Sequence, residues 1–493
     1  MVSVPAVTTE LGALVGLAGD GVRRWRGIPY ACPPVGELRW KAPQPLVPAQ
    51  GIHVVTEFGP HALQPPDPAK PDAVCDEDCL YLNVCAPEGP PPEGGWPVLF
   101  WLHGGGYRVG HGEQVGEGEE FARAGIVVVT VNYRLGSLGF LYLAELFGES
   151  DSGVCGLLDQ IAALRWVRRN IAAFGGDPGR VTVYGVSAGA KSVGNLMSSP
   201  ESAGLFAQVI SSSGGADHVA TPEAGTALAR RLLVEVGCHD LDALRALPGK
   251  EFIEAQERIL DGFRAFWLWR PTLHPQVLPE VPLAAIRRGS AAGVRMLIGC
   301  NSNEGSTYAM MLGEDVATAP ADEILEGILG EGAERLLETY LKRVPDLTAA
   351  KIAAMGDERY GIPTQKLADA QSAHAPVYRY RIDIAAPGVP VQLDGGHGTE
   401  TTMAWKTPLP LFAQAADVNP ARERAALVIH RCWAKFVRDG LADADGPEWP
   451  VYEPETRPVL IFSEDTDLVL DPRSAERKAW GDTEWASGTW FRP

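Results

Sequence analysis

Five consecutive residues, Gly185, Val186, Ser187, Ala188 and Gly189, fit the pattern G-x-S-x-G. A serine hydroxyl becomes a nucleophile when its backbone points it outward and a base takes its proton. This spacing serves the first need. A sharp strand-to-helix turn holds the serine in a strained backbone, and small flanking residues let the turn close. The helix that starts there also favours negative charge beside the serine. Five-residue matches arise by chance, and a plain glycine-rich turn is the alternative. The context favours chemistry: Arg180–Tyr184 is an apolar strand directly before the pattern, and helix-compatible residues follow it.

A second glycine run, His103, Gly104, Gly105, Gly106 and Tyr107, follows the apolar stretch that begins at Trp96. Attack of a serine on an ester passes through a tetrahedral oxyanion. Backbone N–H groups aimed at that oxygen are worth about 3 kcal/mol each. Glycines let the backbone approach it unobstructed. The amide of Ala188, one past the serine, is a further donor. A phosphate loop would need G-x-x-x-x-G-K-S/T, which this run lacks. His103 itself reads as a structural loop residue.

Serine sites built on this turn run serine, acid, histidine along the chain. The histidines after Ser187 are His218, His239, His274, His374, His397 and His430. His430 lies in an amphipathic helical pattern, where it packs or faces solvent. His397 lies in the glycine-rich loop Leu393–Glu400, after a strand, and is the expected base. Glu304 is the only carboxylate in Gly299–Tyr308 and is the expected acid. It would hold His397 in one tautomer and stabilise the imidazolium. The alternative for Glu304 is a solvated loop residue.

These residues need a frame that brings them together. Continuous apolar runs at Trp96–His103, Gly125–Asn132, Arg180–Tyr184, Val294–Gly299 and Val377–Ile382 read as strands. Gly156–Phe174 repeats apolar residues at helical spacing and is stopped by Gly175, Gly176, Asp177 and Pro178. Strands alternating with helices give an α/β chain with a large, mostly parallel sheet covered on both faces. Its chemistry is expected at the carboxyl ends of the strands.

Length and charge bound the rest. The chain has 493 residues, and 43 Lys+Arg against 62 Asp+Glu give a net charge of −19. That charge argues against nucleic acid and anionic membrane as partners. Length alone suggests about three domains, but large α/β enzymes break that rule, and residues 1–493 are expected to form one domain. The first residues lack a basic segment followed by an apolar run, so no secretory signal is expected. No stretch approaches about 18 apolar residues, so none is expected to span a membrane. Eight cysteines are too sparse for a disulfide scaffold. Cys75, Cys79 and Cys85 cluster, but no C-x-x-C and no neighbouring histidine in the sequence supports a metal site there. Neither a metal nor another cofactor is expected, and the thiols read as reduced and cytoplasmic.

Together these features resemble the type B carboxylesterase family, which includes bacterial para-nitrobenzyl esterases and the cholinesterases. The similarity extends over nearly the whole chain, with further signatures at Arg26–Trp40, Glu77–Val84, Asn132–Phe140, Leu157–Pro178 and Trp449–Phe462. The resemblance implies an α/β-hydrolase fold and a triad of Ser187, Glu304 and His397. It implies oxyanion donors at Gly105, Gly106 and Ala188, and support of the triad by Ser213. Its glycine loop implies that Gly104 and Tyr107 face the alcohol side of a substrate and leave room for bulky alcohols. In the segment Phe263–Pro271 it places Trp267 and Trp269 at the acyl pocket. Core packing is the other reading of these aromatics. Three departures stand out. Val186 replaces the family's usual glutamate, Ala190 followed by Lys191 replaces a glycine, and Ala62 occupies the place of a cysteine partner for Cys79.

The expected activity is hydrolysis of small to medium carboxylic esters through an acyl-enzyme, with short acyl groups preferred. The chain is expected to act as a monomer or small homo-oligomer on a small-molecule ester. An amidase, lactonase or carbamate hydrolase would use the same residues, because only the pocket selects. A non-catalytic interaction protein of this fold would lose triad residues, and all three are present.

Overall fold

The side chains of Trp96–Leu102 divide by parity. Val98, Phe100 and Leu102 enter one hydrophobic core, and Leu99 and Trp101 enter another. All seven residues are buried. A strand that alternates with period two and is apolar on both faces belongs at the centre of a two-sided sheet. Val127–Val131 does the same, with Val127, Val129 and Val131 on one side and Val128 on the other. Each such residue contributes about 1.5–3 kcal/mol of transfer free energy on full burial.

The computed structural model describes residues 5–48, 50–67, 70–259, 267–387, 389, 393–407, 420–443 and 448–485. Eleven strands form the main sheet: β1 Leu17–Gly19, β2 Val22–Pro29, β3 Tyr81–Pro87, β4 Trp96–Leu102, β5 Val127–Val131, β6 Gly176–Val186, β7 Gln208–Ser212, β8 Arg295–Asn301, β9 Val377–Ile382, β10 Pro458–Phe462 and β11 Asp467–Leu470. Their spatial order is β11-β10-β9-β8-β7-β6-β4-β5-β3-β2-β1. The pairs from β10 through β5 are parallel. The outer pairs at both edges are antiparallel. This is the mostly parallel sheet of an α/β hydrolase.

Helices cover both faces. Cys155–Asn170 packs Leu157, Ile161, Leu164 and Trp166 into the first core. Pro420–Asp439 packs Ile429, Trp433 and Phe436 into the second. The expected helix to Phe174 divides in two. The α-helix ends at Asn170, a 3₁₀ turn runs over Ile171–Phe174, and Gly175 closes it with φ 90°. Between β8 and β9 the chain inserts a run of helices with a third, smaller core that includes Tyr308, Leu325, Leu336 and Tyr360.

Four of the sequence signatures meet in two ion pairs. Arg134 donates to both carboxylate oxygens of Asp159 at 2.7 and 2.8 Å, and Arg39 holds Glu77 in the same two-pronged way. None of the eight cysteines is in a disulfide, and Cys79 and Ala62 are both buried in the first core. Among the described residues no helix is long and apolar enough to cross a membrane.

Candidate active site

β6 ends at Val186, and a helix begins at Ala188 and runs to Ser198. Ser187 between them adopts φ 56°, ψ −120°. For a residue with a side chain this costs about 1–3 kcal/mol, which the surroundings must enforce. They do so by leaving no room. A Cβ on Gly185 would lie 2.2 Å from the Gly189 carbonyl oxygen, and one on Gly189 would lie 2.1 Å from the Leu102 carbonyl oxygen. Ser187 N–H donates to Ser212 O at the end of β7, at 2.9 Å.

β8 ends at Asn301, and the next helix starts at Glu304. The Glu304 carboxylate is buried, with 3% of the residue exposed. Its Oε1 accepts from Ser213 Oγ at 2.6 Å, from the Asn301 backbone N–H at 2.7 Å and from Asn301 Nδ2 at 3.2 Å. Its Oε2 faces His397 Nδ1 at 2.5 Å. Three donors on one oxygen leave the other for the imidazole, which fixes the proton on Nδ1 and leaves Nε2 as the acceptor.

Tyr360 lies against the histidine. Its ring stacks on His397 at 4.4 Å and 24°, and Ser187 is among the groups that lower its pKa. Tyr308 lies 5.4 Å from the His397 ring and shares a 2.5 Å hydrogen bond with the Tyr360 hydroxyl. Ser187, Glu304 and His397 therefore converge at the carboxyl ends of the strands. Burial opposes the imidazolium of His397, but Tyr360, Glu304 and Glu400 outweigh it and push the pKa up to about 9. The phenol exerts that push only when ionised, so at neutral pH the carboxylates carry it. Glu400 is fully buried and hydrogen-bonded to Asn301 Nδ2 at 2.7 Å, and burial beside Glu304 pushes it up to about 7.

The glycine loop lies against the serine turn. A Cβ on Gly104 would stand 3.2 Å from Ser187 Cβ and 3.1 Å from Val186 O. Among the described residues the Gly105 and Gly106 amides donate to no backbone carbonyl. Ala188 opens its helix, where an amide has no carbonyl one turn back. These three N–H groups have no backbone carbonyl partner among the described residues. Tyr107, expected at the substrate, is fully buried and directs its hydroxyl to Ser192 Oγ at 3.0 Å. It supports the loop from beneath.

The two tryptophans separate. Trp267 packs edge-on against Tyr308 at 5.1 Å, under the Arg359 guanidinium at 4.6 Å, and so stands near His397. Trp269, expected at the acyl pocket, is fully buried in the first hydrophobic core. Neighbouring side chains two apart leave an extended segment on the same face, but this segment is not a strand. Phe263 and Phe266 lie outside the described residues. His103 is buried and stacked on Tyr133 at 4.4 Å, and burial pulls its pKa down to about 3. His430 packs with Nδ1 on Ala404 O at 2.8 Å. Lys191 is buried, 3.1 Å from Asp217 and donating to Arg359 O at 3.0 Å.

A model of the carboxylesterase family matches residues 3–480. The chain belongs to the carboxylesterase family. It is 36% identical over 485 residues to the para-nitrobenzyl esterase of Bacillus subtilis strain 168, covering 96% of this chain and 97% of that one. It is 32% identical to a phenmedipham hydrolase of Pseudarthrobacter oxydans, covering 94% and 96%. A solved para-nitrobenzyl esterase structure superimposes with a TM-score of 0.87 at 33% identity, covering 98% and 100%. A Geobacillus stearothermophilus carboxylesterase gives 0.84 at 35%, covering 96% and 99%. This carboxylesterase is thus a serine carboxylic-ester hydrolase.

Four residues of the site were not expected from the sequence: Tyr308, Tyr360, Asn301 and Glu400. Asn301 and Glu400 carried a weak signal, each three residues from an expected site residue, Glu304 and His397. Tyr360 carried none, because it arrives on the helical insertion from a segment without a motif.

Proposed function

We propose that Ser187 is the nucleophile, His397 the base and Glu304 the orienting acid of ester hydrolysis. Ser187 Oγ bonds to the carbonyl carbon while its proton passes to His397 Nε2. The carbonyl π electrons move to oxygen, where the amides of Gly105, Gly106 and Ala188 hold the oxyanion. Collapse breaks the carbon–alcohol bond, and the alcohol leaves with the proton from His397. Water then attacks the acyl-enzyme through the same base and releases the acid. Ser213 and Asn301 keep Glu304 in place throughout. The observation that carries this reading is the buried Glu304–His397 pair, with Glu304 held by Ser213 next to the Ser212 carbonyl that fixes the Ser187 turn.

On this reading short acyl groups are preferred, because Trp267, Tyr308 and Tyr360 crowd the space beside His397. Bulky alcohols are tolerated, because Gly104, Gly105 and Gly106 present no side chains. Residues 1–493 act as one catalytic unit, as a monomer or small homo-oligomer, and the thiol state of the cysteines fits a bacterial cytoplasm. The test is kcat/KM for para-nitrophenyl esters from acetate to decanoate, with tert-butyl acetate as the bulky alcohol. An optimum at octanoate or beyond, or no turnover of tert-butyl acetate beside robust phenyl acetate hydrolysis, overturns the pocket assignment. Carbamate hydrolysis is the second reading, favoured by the likeness to the phenmedipham hydrolase, and an aryl carbamate in the same panel decides it.

A further inference from the structure

A second group of chemically active side chains stands apart from the catalytic residues. His61 lies on the two-residue strand His61–Ala62, and His111 and Glu113 lie on the loop that follows the oxyanion glycines. One ligand atom from each residue falls within 4.8 Å of the other two. His61 Nε2 contacts Glu113 Oε1. His111 Nδ1 lies 3.2 Å from that oxygen without hydrogen-bond geometry, and it is buried with no other partner. The two imidazoles stack at 4.1 Å with planes 2° apart. Ligands bound at about 2.0–2.2 Å in a tetrahedral shell stand roughly 3.3 Å from one another, so the separations are close to those of a bound shell, and the stacked rings must tilt apart to aim both nitrogen lone pairs at one ion.

Surrounding amides fix the loops that carry them. Gln64 donates to Ala62 O and Gly110 O, both at 3.0 Å, and accepts from Gly110 N at 2.9 Å. Asn132 donates to Pro60 O at 2.9 Å and accepts from Gly112 N at 2.7 Å. Both histidines and the glutamate are therefore positioned by side chains one residue away along the backbone. Cys75 is the register partner of His61 and interacts with its ring, as orienting neighbours of metal ligands do. The cluster borders a solvent-reaching cavity of about 600 Å³, which gives an entry path.

We propose that His61 Nε2, His111 Nδ1 and Glu113 Oε1 form a three-ligand site for a divalent metal ion of the zinc class. Two imidazoles and one carboxylate suit such an ion, with water completing the shell. Lys70 opposes the site beside that stacking: its Nζ lies 3.1 Å from His111 Nε2. Ligation through Nδ1 leaves Nε2 protonated, so the ammonium must turn away on its flexible stem, and its charge weakens binding. In the sequence the cluster was hidden because His61 and His111 are far apart and neither neighbours the cysteines.

The test uses the full chain without a histidine tag, stripped by a chelator and titrated with Zn(II) by calorimetry, with metal content measured after dialysis. One zinc per chain is expected, weakened at least tenfold in His61→Ala, His111→Ala and Glu113→Gln. Zinc should raise the melting temperature of the natural protein and leave that of the triple variant unmoved. Lys70→Gln keeps all three ligands and should bind zinc several-fold more tightly. Zinc uptake no greater than that of the folded triple variant overturns the proposal. So does unchanged or weaker binding in Lys70→Gln.

Discussion

Replacing Glu304 by Gln tests the acid–base reading with the smallest possible change in shape. Oε1 of Glu304 accepts three hydrogen bonds, from Ser213 and twice from Asn301. A glutamine keeps them only by leaving its carbonyl oxygen there, which turns its NH₂ toward His397 Nδ1. That nitrogen must then accept, so the imidazole proton moves to Nε2, the atom that has to take the proton of Ser187. The tautomer is wrong while every contact survives. In the worked serine-protease case the equivalent acid-to-amide change lowers kcat about 10⁴-fold, which is about 5.4 kcal/mol of transition-state stabilisation. A second consequence has a definite sign. Glu304 is one of the groups that hold His397 up near 9 against burial. The neutral base is the working form, so activity in the natural enzyme should rise with pH as the imidazolium gives up its proton, above the ordinary histidine range. Without the carboxylate the imidazolium loses its partner, the pKa falls, and the acidic limb should move to lower pH. Para-nitrophenyl acetate kinetics from pH 5 to 10 read both effects, since kcat/KM reports the free enzyme. A variant within tenfold of the natural enzyme, or one with an unmoved acidic limb, refutes the reasoning.

Ser187→Ala should remove ester hydrolysis with the fold intact, and His397→Ala should cost on the order of 10⁴ or more in kcat, because such groups act as a unit. Circular dichroism with single-turnover kinetics checks both. Gly189→Ala should destabilise by more than about 4 kcal/mol, since its Cβ would meet the Leu102 carbonyl at 2.1 Å. Urea unfolding, or failure to yield folded protein, reads that outcome. Trp269→Ala should lose about 3–5 kcal/mol of stability and keep its chain-length profile. Trp267→Ala should shift the acyl optimum to longer chains, and an unchanged profile would return this indole to plain packing.

The legible parts of the sequence were those with runs of buried apolar residues. Val377–Ile382 matches its strand end to end, although Arg379 and Arg381 are only half-buried, and Trp96–His103 and Val294–Gly299 match theirs to within two residues. Gln208–Ser212 was invisible: Gln208, Ser211 and Ser212 are polar yet buried, Gln208 and Ser212 bond to side chains distant in the chain, and Ser211 Oγ has no hydrogen-bond partner among the described residues. The strand next to the edge, Val22–Pro29, hides for the opposite reason. Its arginines form salt bridges, and its buried apolar residues Val22, Trp25 and Ile28 recur every third position instead of every second. At the site, Ser187 and His397 announce themselves through glycine patterns that a turn and a loop demand. Ser213, which adopts φ 57° at the end of β7, was visible only through the family resemblance.

The division of labour between sheet and insertion follows from where each core lies. Ser187, Ser213, Asn301 and Glu304 stand at the ends of adjacent strands β6, β7 and β8, whose hydrogen-bonded register fixes their spacing. Tyr360 and Trp267 instead pack in the third core, formed largely by the helices between β8 and β9. Substitutions in that core can reshape the pocket wall without touching the strands that set the triad. The separation is incomplete at one place. The helix that begins with Glu304 also carries Tyr308, which touches His397, Tyr360 and Trp267. A displacement of the insertion that tilts this helix by its far end reaches the acid at its near end. Pocket changes transmitted through Tyr308 should therefore alter kcat along with chain-length preference, whereas changes confined to Trp267 should alter preference alone.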